Sequence, residues 1–159
     1  MNKKEVFKKN VKQYFDFLVN DHGFKEIEIS ADILSYGAGI SYMRNDLFID
    51  ITFEDRGSCI EVNFGKLLND SVKEEEFSYH MFLGIINKAL HYQLGASIAN
   101  TEVDVVELLD IYAKSLKKDG MKILKNKEKV FKKMRKAEKK GKGLCVPYYE
   151  QNKIVSKFI

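Results

Sequence analysis

The chain of 159 residues has a single proline, Pro147, no tryptophan, and only two cysteines, Cys59 and Cys145. One proline leaves room for uninterrupted helices and strands, because few positions have their backbone fixed or lack a donor. Two cysteines without CxxC spacing exclude a disulfide framework and a zinc-finger pattern. No apolar run is long and clean enough for a membrane span: the best stretch, "HMFLGIINKALHYQLGASIA", carries Lys88 and two histidines. The N-terminal "MNKKEVFKKN" has basic residues with no apolar core after them, so no secretory leader is expected. These absences lead to the expectation of a cytoplasmic protein with no membrane contact.

What is present is a globular composition, 45% apolar and 31% charged, with eleven Phe and eight Tyr. The net charge of +4 conceals an asymmetry. Residues 120–159 hold 13 basic against 3 acidic side chains, and residues 1–119 hold 14 against 20. The chain is therefore an acidic body followed by a basic segment.

Residues 3–21 read as a helix, because Phe7, Val11, Tyr14, Phe15 and Leu18 recur on one stripe, and Gly23 suits the stop after it. The period then changes to two. "KEIEIS" alternates, and "GISYMR" follows a break at Gly37-Ala38-Gly39. Leu47, Ile49, Ile51 and Phe53 alternate with Phe48, Asp50, Thr52 and Glu54. After the turn at Asp55-Arg56-Gly57-Ser58, Ile60, Val62 and Phe64 alternate with Cys59, Glu61 and Asn63. Alternation predicts one buried and one solvated face, and short connections predict an antiparallel meander of four strands. From residue 71 the pattern is helical. Ser71 with Glu74 offers a capping box, with Ser78 as another start, and the helix runs to Gly95. Thr101 and Asp104 open a helix ending at Asp119-Gly120, and a last helix spans about 121–139. The expected fold is α+β over residues 1–140: a four-stranded sheet packed by an N-terminal helix and two to three C-terminal helices. Residues 141–159 form a tail with enough apolar side chains to dock on the body.

Candidate chemistry starts with the hairpin "DLFIDITFEDRGSCIEVNF". By alternation Asp50, Glu54 and Glu61 share a polar face, with Asp55 at the turn. Clustered carboxylates are the equipment of metal-dependent phosphodiester hydrolysis. A restriction-type nuclease, however, needs Glu-x-Lys, and Glu61-Val62-Asn63 has asparagine there. The plainer reading is a solvated sheet face, with a carboxylate-dependent hydrolase as the competing one. His80 and His91, eleven apart on one helix, would sit ~16 Å apart, too far to share a metal. His22 lies at a helix end. A Cys/His pair assembled in space stays open. Gly37-Ala38-Gly39 lacks the lysine and third glycine of a phosphate loop and reads as a turn. No cofactor is implied.

The basic segment "KILKNKEKVFKKMRKAEKKGKG" supplies Lys122, Lys125, Lys129, Lys132, Lys133, Arg135 and Lys136 as candidate anion-binding residues. They suit phosphate neutralisation on nucleic acid. No recognised DNA- or RNA-binding motif accompanies them, and a solubilising helix face that partly neutralises the acidic body is the plainer reading.

The succession of "YFDFLVNDHGF", strands, a hairpin turning on "DRG", and "FSYHMFLGIINKAL" resembles small bacterial proteins found among the immunity proteins of polymorphic toxin and contact-dependent inhibition systems. The likeness spans residues 11 to about 135. It implies a non-enzymatic cytosolic protein that binds another protein, a cationic toxin domain being the expected partner, and it brings no catalytic residues. On that expectation Asp50, Glu54, Asp55 and Glu61 are the first candidate contacts, with Glu26 and Glu28 next, and the binding face points away from the basic segment.

Overall fold

A computed structural model describes residues 2–30 and 37–140. The order is α1 (Lys3–Tyr14), α2 (Asp16–Asn20), β1 (Lys25–Glu28), β2 (Gly37–Arg44), β3 (Leu47–Glu54), β4 (Cys59–Asn69), β5 (Val72–Ser78), α3 (Tyr79–Ile86), α4 (Lys88–Gly95), α5 (Glu102–Lys118), α6 (Met121–Leu124) and α7 (Glu128–Lys140). All the described strands belong to one antiparallel meander in sequence order. The α+β architecture is the expected one, with five strands instead of four. The expected docking of residues 141–159 lies outside the described residues.

The additional strand is β5, "VKEEEFS", which reads as a helix start because its run of charges hides any alternation. It is an edge strand, where charged side chains remain in water and discourage pairing with other chains. The Ser71/Glu74 capping box does not form. Ser71 Oγ instead donates to Asn69 Oδ1 at 3.0 Å, within the β4–β5 turn. Ser78 is the true cap, its hydroxyl accepting from the Met81 amide at 3.4 Å. Gly37-Ala38-Gly39 is continuous β2 and not a break. A Cβ at Gly37 would stand 1.9 Å from the Phe53 carbonyl oxygen, so glycine is required by close strand approach.

Three expected long helices are each divided. Phe15, at φ −104° and ψ 14°, separates α1 from α2. Asn87, at φ −148° and ψ 75°, ends α3 and caps α4 by accepting from Leu90 N at 3.3 Å. Asn126, at φ 55°, separates α6 from α7. Asparagine tolerates such conformations because its short polar side chain can satisfy local backbone groups.

Register assigns the sheet's two faces. One carries Ile40, Tyr42, Leu47, Ile49, Ile51, Phe53, Ile60, Val62, Phe64 and Phe77. Among the described residues, the helix-to-sheet ring contacts fall on this face: Phe7 on Phe53 at 5.7 Å, and Phe64 on Phe82 and on Phe131, both at 6.0 Å. Phe64 also meets Phe77 of β5 at 5.8 Å, so a single ring joins β4, β5, α3 and α7. Behind this layer α1 packs on α5, and Tyr79 and Ser115 hydroxyls share a buried hydrogen bond of 2.8 Å.

The opposite face, called here the open face, carries Ile27, Ser41, Met43, Phe48, Asp50, Thr52, Glu54, Cys59, Glu61, Asn63 and Glu76. It is not the uniformly solvated face that alternation predicts: Phe48 is fully buried and Asp50 only 6% exposed. The cause is β5. A bulge skips Glu74, so Leu67 faces Lys73 and the lysine moves to the open face. Its ammonium reaches across Gly65 to lie 4.6 Å above the Phe48 ring.

Replacing the shared ring, Phe64→Ala, is expected to cost about 3–5 kcal/mol, measured by urea unfolding. Leu68→Ala, at a 68%-exposed position of the same strand, should stay within about 0.5 kcal/mol. Equal effects from the two would refute the role given to Phe64.

Candidate functional site

The carboxylates expected to meet a partner are placed on or beside the open face, and most are engaged by groups of the same chain. Asp50 accepts from Ser41 Oγ at 2.5 Å and from Lys73 Nζ at 2.7 Å. Lys73 also donates to Glu76 at 2.6 Å. Burial lowers the Lys73 pKa, but its bonds to Asp50 and Glu76 outweigh this and the net shift is upward. The pair is thus a charged clasp from β5 to β3. Glu54 accepts from the Arg56 amide at 2.9 Å and from the Gly57 amide, closing the β3–β4 turn. Asp55 pairs with Lys3 of α1 at 3.1 Å.

Glu26 and Glu28 lie on the helical side of β1. Glu26 accepts from the Tyr42 hydroxyl at 3.0 Å. Glu28 pairs with Lys12 at 3.0 Å, and that bond, with the charges of Lys12 and Lys8, holds its carboxyl below the usual range. Glu61 is exposed on the open face, directly across from the half-buried Thr52. Asp50, Glu54 and Glu61 therefore share a face, as alternation predicts, without converging on a point. Among the described residues no group of three or more His, Cys, Asp or Glu side chains could hold a metal ion.

Cys59, half-buried at the start of β4, has its thiol pKa pushed up by burial and by the negative charges of Glu61 and Glu54. That environment opposes the thiolate a nucleophile needs. The histidines depart furthest from expectation. The turn at Asn87 folds α4 back, so His80 and His91 stack with ring centroids 4.0 Å apart and planes inclined by 10°. They are not ~16 Å apart as an unbroken helix would place them. His80 Nε2 donates to the His91 carbonyl and His91 Nδ1 to the His80 carbonyl, each at 2.7 Å. The pair is a reciprocal staple between two helices. His91 is 2% exposed and its Nε2 has no hydrogen-bond partner among the described residues. His22 packs edge-on against Phe17.

The cationic candidates sit on α6 and α7. Lys122, Lys125, Lys129, Lys132, Lys133 and Lys136 are exposed. Arg135 differs: it forms a two-pronged pair with Glu75 of β5, at 2.7 and 3.0 Å, and a third bond to Glu128 at 2.8 Å. It fastens α7 to the sheet. Lys66, which is not among the residues the sequence pattern marks as a site, is 8% exposed and lies 4.4 Å above the Phe131 ring. Its ammonium donates to Asp46 at 3.3 Å and to Asn126. A lysine inside the apolar run "FGKLL" was the available signal for a buried cation.

No family model, curated protein or solved structure matches the chain. No helix among the described residues is long and apolar enough to cross a membrane.

Burial lowers the His80 pKa from its ordinary 6.5; the bond to the His91 carbonyl opposes this, and the neighbouring ring adds to it. A pKa depressed by folding means that the unfolded chain binds the proton more readily. The contribution of His80 is therefore intact above pH 6.5 and falls as the pH drops through 6.5 toward the lower folded value. His80→Gln should flatten this part of a stability-against-pH curve measured by chemical denaturation. An unchanged slope between pH 7 and 5 would contradict the assignment.

Proposed function

We propose that the protein is a non-enzymatic interaction module acting in the cytoplasm, and that it receives a partner protein on the open face of its sheet. The observation that carries this reading is the one-sided layering. Described ring contacts from the helices reach only the opposite face. Around the clasped Asp50 the open face presents apolar and small-polar side chains, Ile27, Met43, Thr52, Cys59 and Asn63, with Glu54, Glu61 and Glu76 toward its margins. An interface combines such groups with a charged rim. The rim carries more carboxylates than cations, which favours a cationic partner and speeds its encounter.

The resemblance to immunity proteins of toxin systems points the same way, to a cationic toxin domain as partner. Structural use of the other reactive groups favours binding over catalysis. Cys59 is disfavoured as thiolate, both histidines of the staple hold backbone carbonyls, and Asp50 is clasped by Lys73. The basic α7 packs through Phe131 on the helical side, away from the proposed interface, as the charges require.

Asp50 is a poor probe of this surface, since reversing a clasped, buried charge would unfold its surroundings. The test uses Thr52→Arg with Glu61→Lys. Affinity capture from cells that produce the protein should recover one partner with the unchanged chain. The double variant, with an unaltered melting temperature, should bind that partner at least ten-fold more weakly, about 1.4 kcal/mol. Equal affinity for both would overturn the proposal.

A further inference from the structure

α7 is a two-sided helix fixed in orientation. Val130, Phe131 and Met134 are buried against the core, and Arg135 is held by Glu75 and Glu128. At ~100° per residue, Lys129, Lys132, Lys133, Lys136, Lys139 and Lys140 all fall within an arc of about 120° on the remaining side. All six are exposed. None forms an ion pair or hydrogen bond with another described residue. Glu128 lies outside the arc beside Arg135, and Glu138 projects from the opposite side. The arc spans twelve residues, ~16 Å along the axis from first to last.

We infer that this lysine arc binds a phosphate-backbone polyanion, a nucleic acid, without regard to base sequence, as an activity separate from the open sheet face. The chemistry of the arc selects this partner over an acidic protein. Protein interfaces are depleted in lysine and depend on apolar or aromatic anchors, and the arc has none. A phosphate backbone needs only closely spaced positive point charges, and lysine supplies them without fixed geometry. A bilayer surface fits less well, because a helix lying on lipid inserts its apolar side. The apolar side of α7 is occupied by Phe64 and the core.

The test is fluorescence anisotropy of a labelled 20-base-pair duplex of arbitrary sequence with the full chain, between 50 and 200 mM NaCl. Engagement of four to six phosphates predicts a slope of log K against log salt of about −4 to −5. Lys132→Gln/Lys133→Gln/Lys136→Gln should reduce that slope by about 3, whereas Lys9→Gln/Lys88→Gln, at exposed positions elsewhere, should leave it unchanged. If the triple variant fails to fold, Lys133→Gln alone should reduce the slope by about 1. Thr52→Arg/Glu61→Lys should bind the duplex no more weakly than the unchanged chain, which separates this activity from the open-face reading. Absence of binding at 50 mM salt overturns the inference, as does a slope insensitive to the α7 substitutions. Equal binding of polyglutamate, or binding of phosphatidylglycerol vesicles in place of the duplex, would do so too.

Discussion

The arrangement depends on the ring of Phe64. It touches Phe77 from the neighbouring edge strand, Phe82 from the helix that follows, and Phe131 from a helix nearly seventy residues later. These contacts join β4 to β5 within the sheet and bring α3 and α7 onto the same face of it. Aromatic packing of this kind is worth more than area alone, because edge-to-face and tilted rings also satisfy each other's charge distribution. With the helical layer gathered on one side, the sheet's other side becomes a separate surface, and the acidic and basic parts of the chain are kept apart.

Polar contacts then fix what the aromatic layer only brings near. Arg44 donates to the His22 carbonyl at 2.7 Å and to the Leu124 carbonyl while lying 4.6 Å above Phe24. It thereby ties the end of β2 to the α2–β1 turn and to α6. Lys66 plays the same part between the β2–β3 turn and the start of α7, through Asp46 and Asn126. Lys73 does so across the open face, through Asp50. Each of these cations lies over an aromatic ring, where the ring face partly replaces lost hydration. Internal cations of this kind partly neutralise the acidic body, leaving the uncompensated positive charge on the outer side of α7.

Much of the fold was legible from period alone. Alternation placed β2 to β4 and correctly put Asp50, Glu54 and Glu61 on one face, because side-chain direction in a strand is set by parity. It could not show that Asp50 is clasped, since its lysine lies 23 residues away and reaches it only through a bulge at Glu74. β5 was misread because Lys73 to Glu76 carry helix-forming residues and no alternation, and pairing with β4 overrides that preference. The histidine staple was hidden by one backbone conformation, that of Asn87, which turns an apparent single helix into two. Arg135 was grouped with the free lysines of its segment because its partner Glu75 is 60 residues distant.

The central claim is that α7 is docked through Phe131 with its lysines outward, opposite the open sheet face. Amine-reactive footprinting of the free full chain, read by mass spectrometry, tests it most directly. The account predicts fast modification of Lys129, Lys132, Lys133 and Lys136, and strong protection of Lys66, whose side chain is only 10% exposed beneath α7. Protection of the α7 lysines, or modification of Lys66 as fast as theirs, would contradict it.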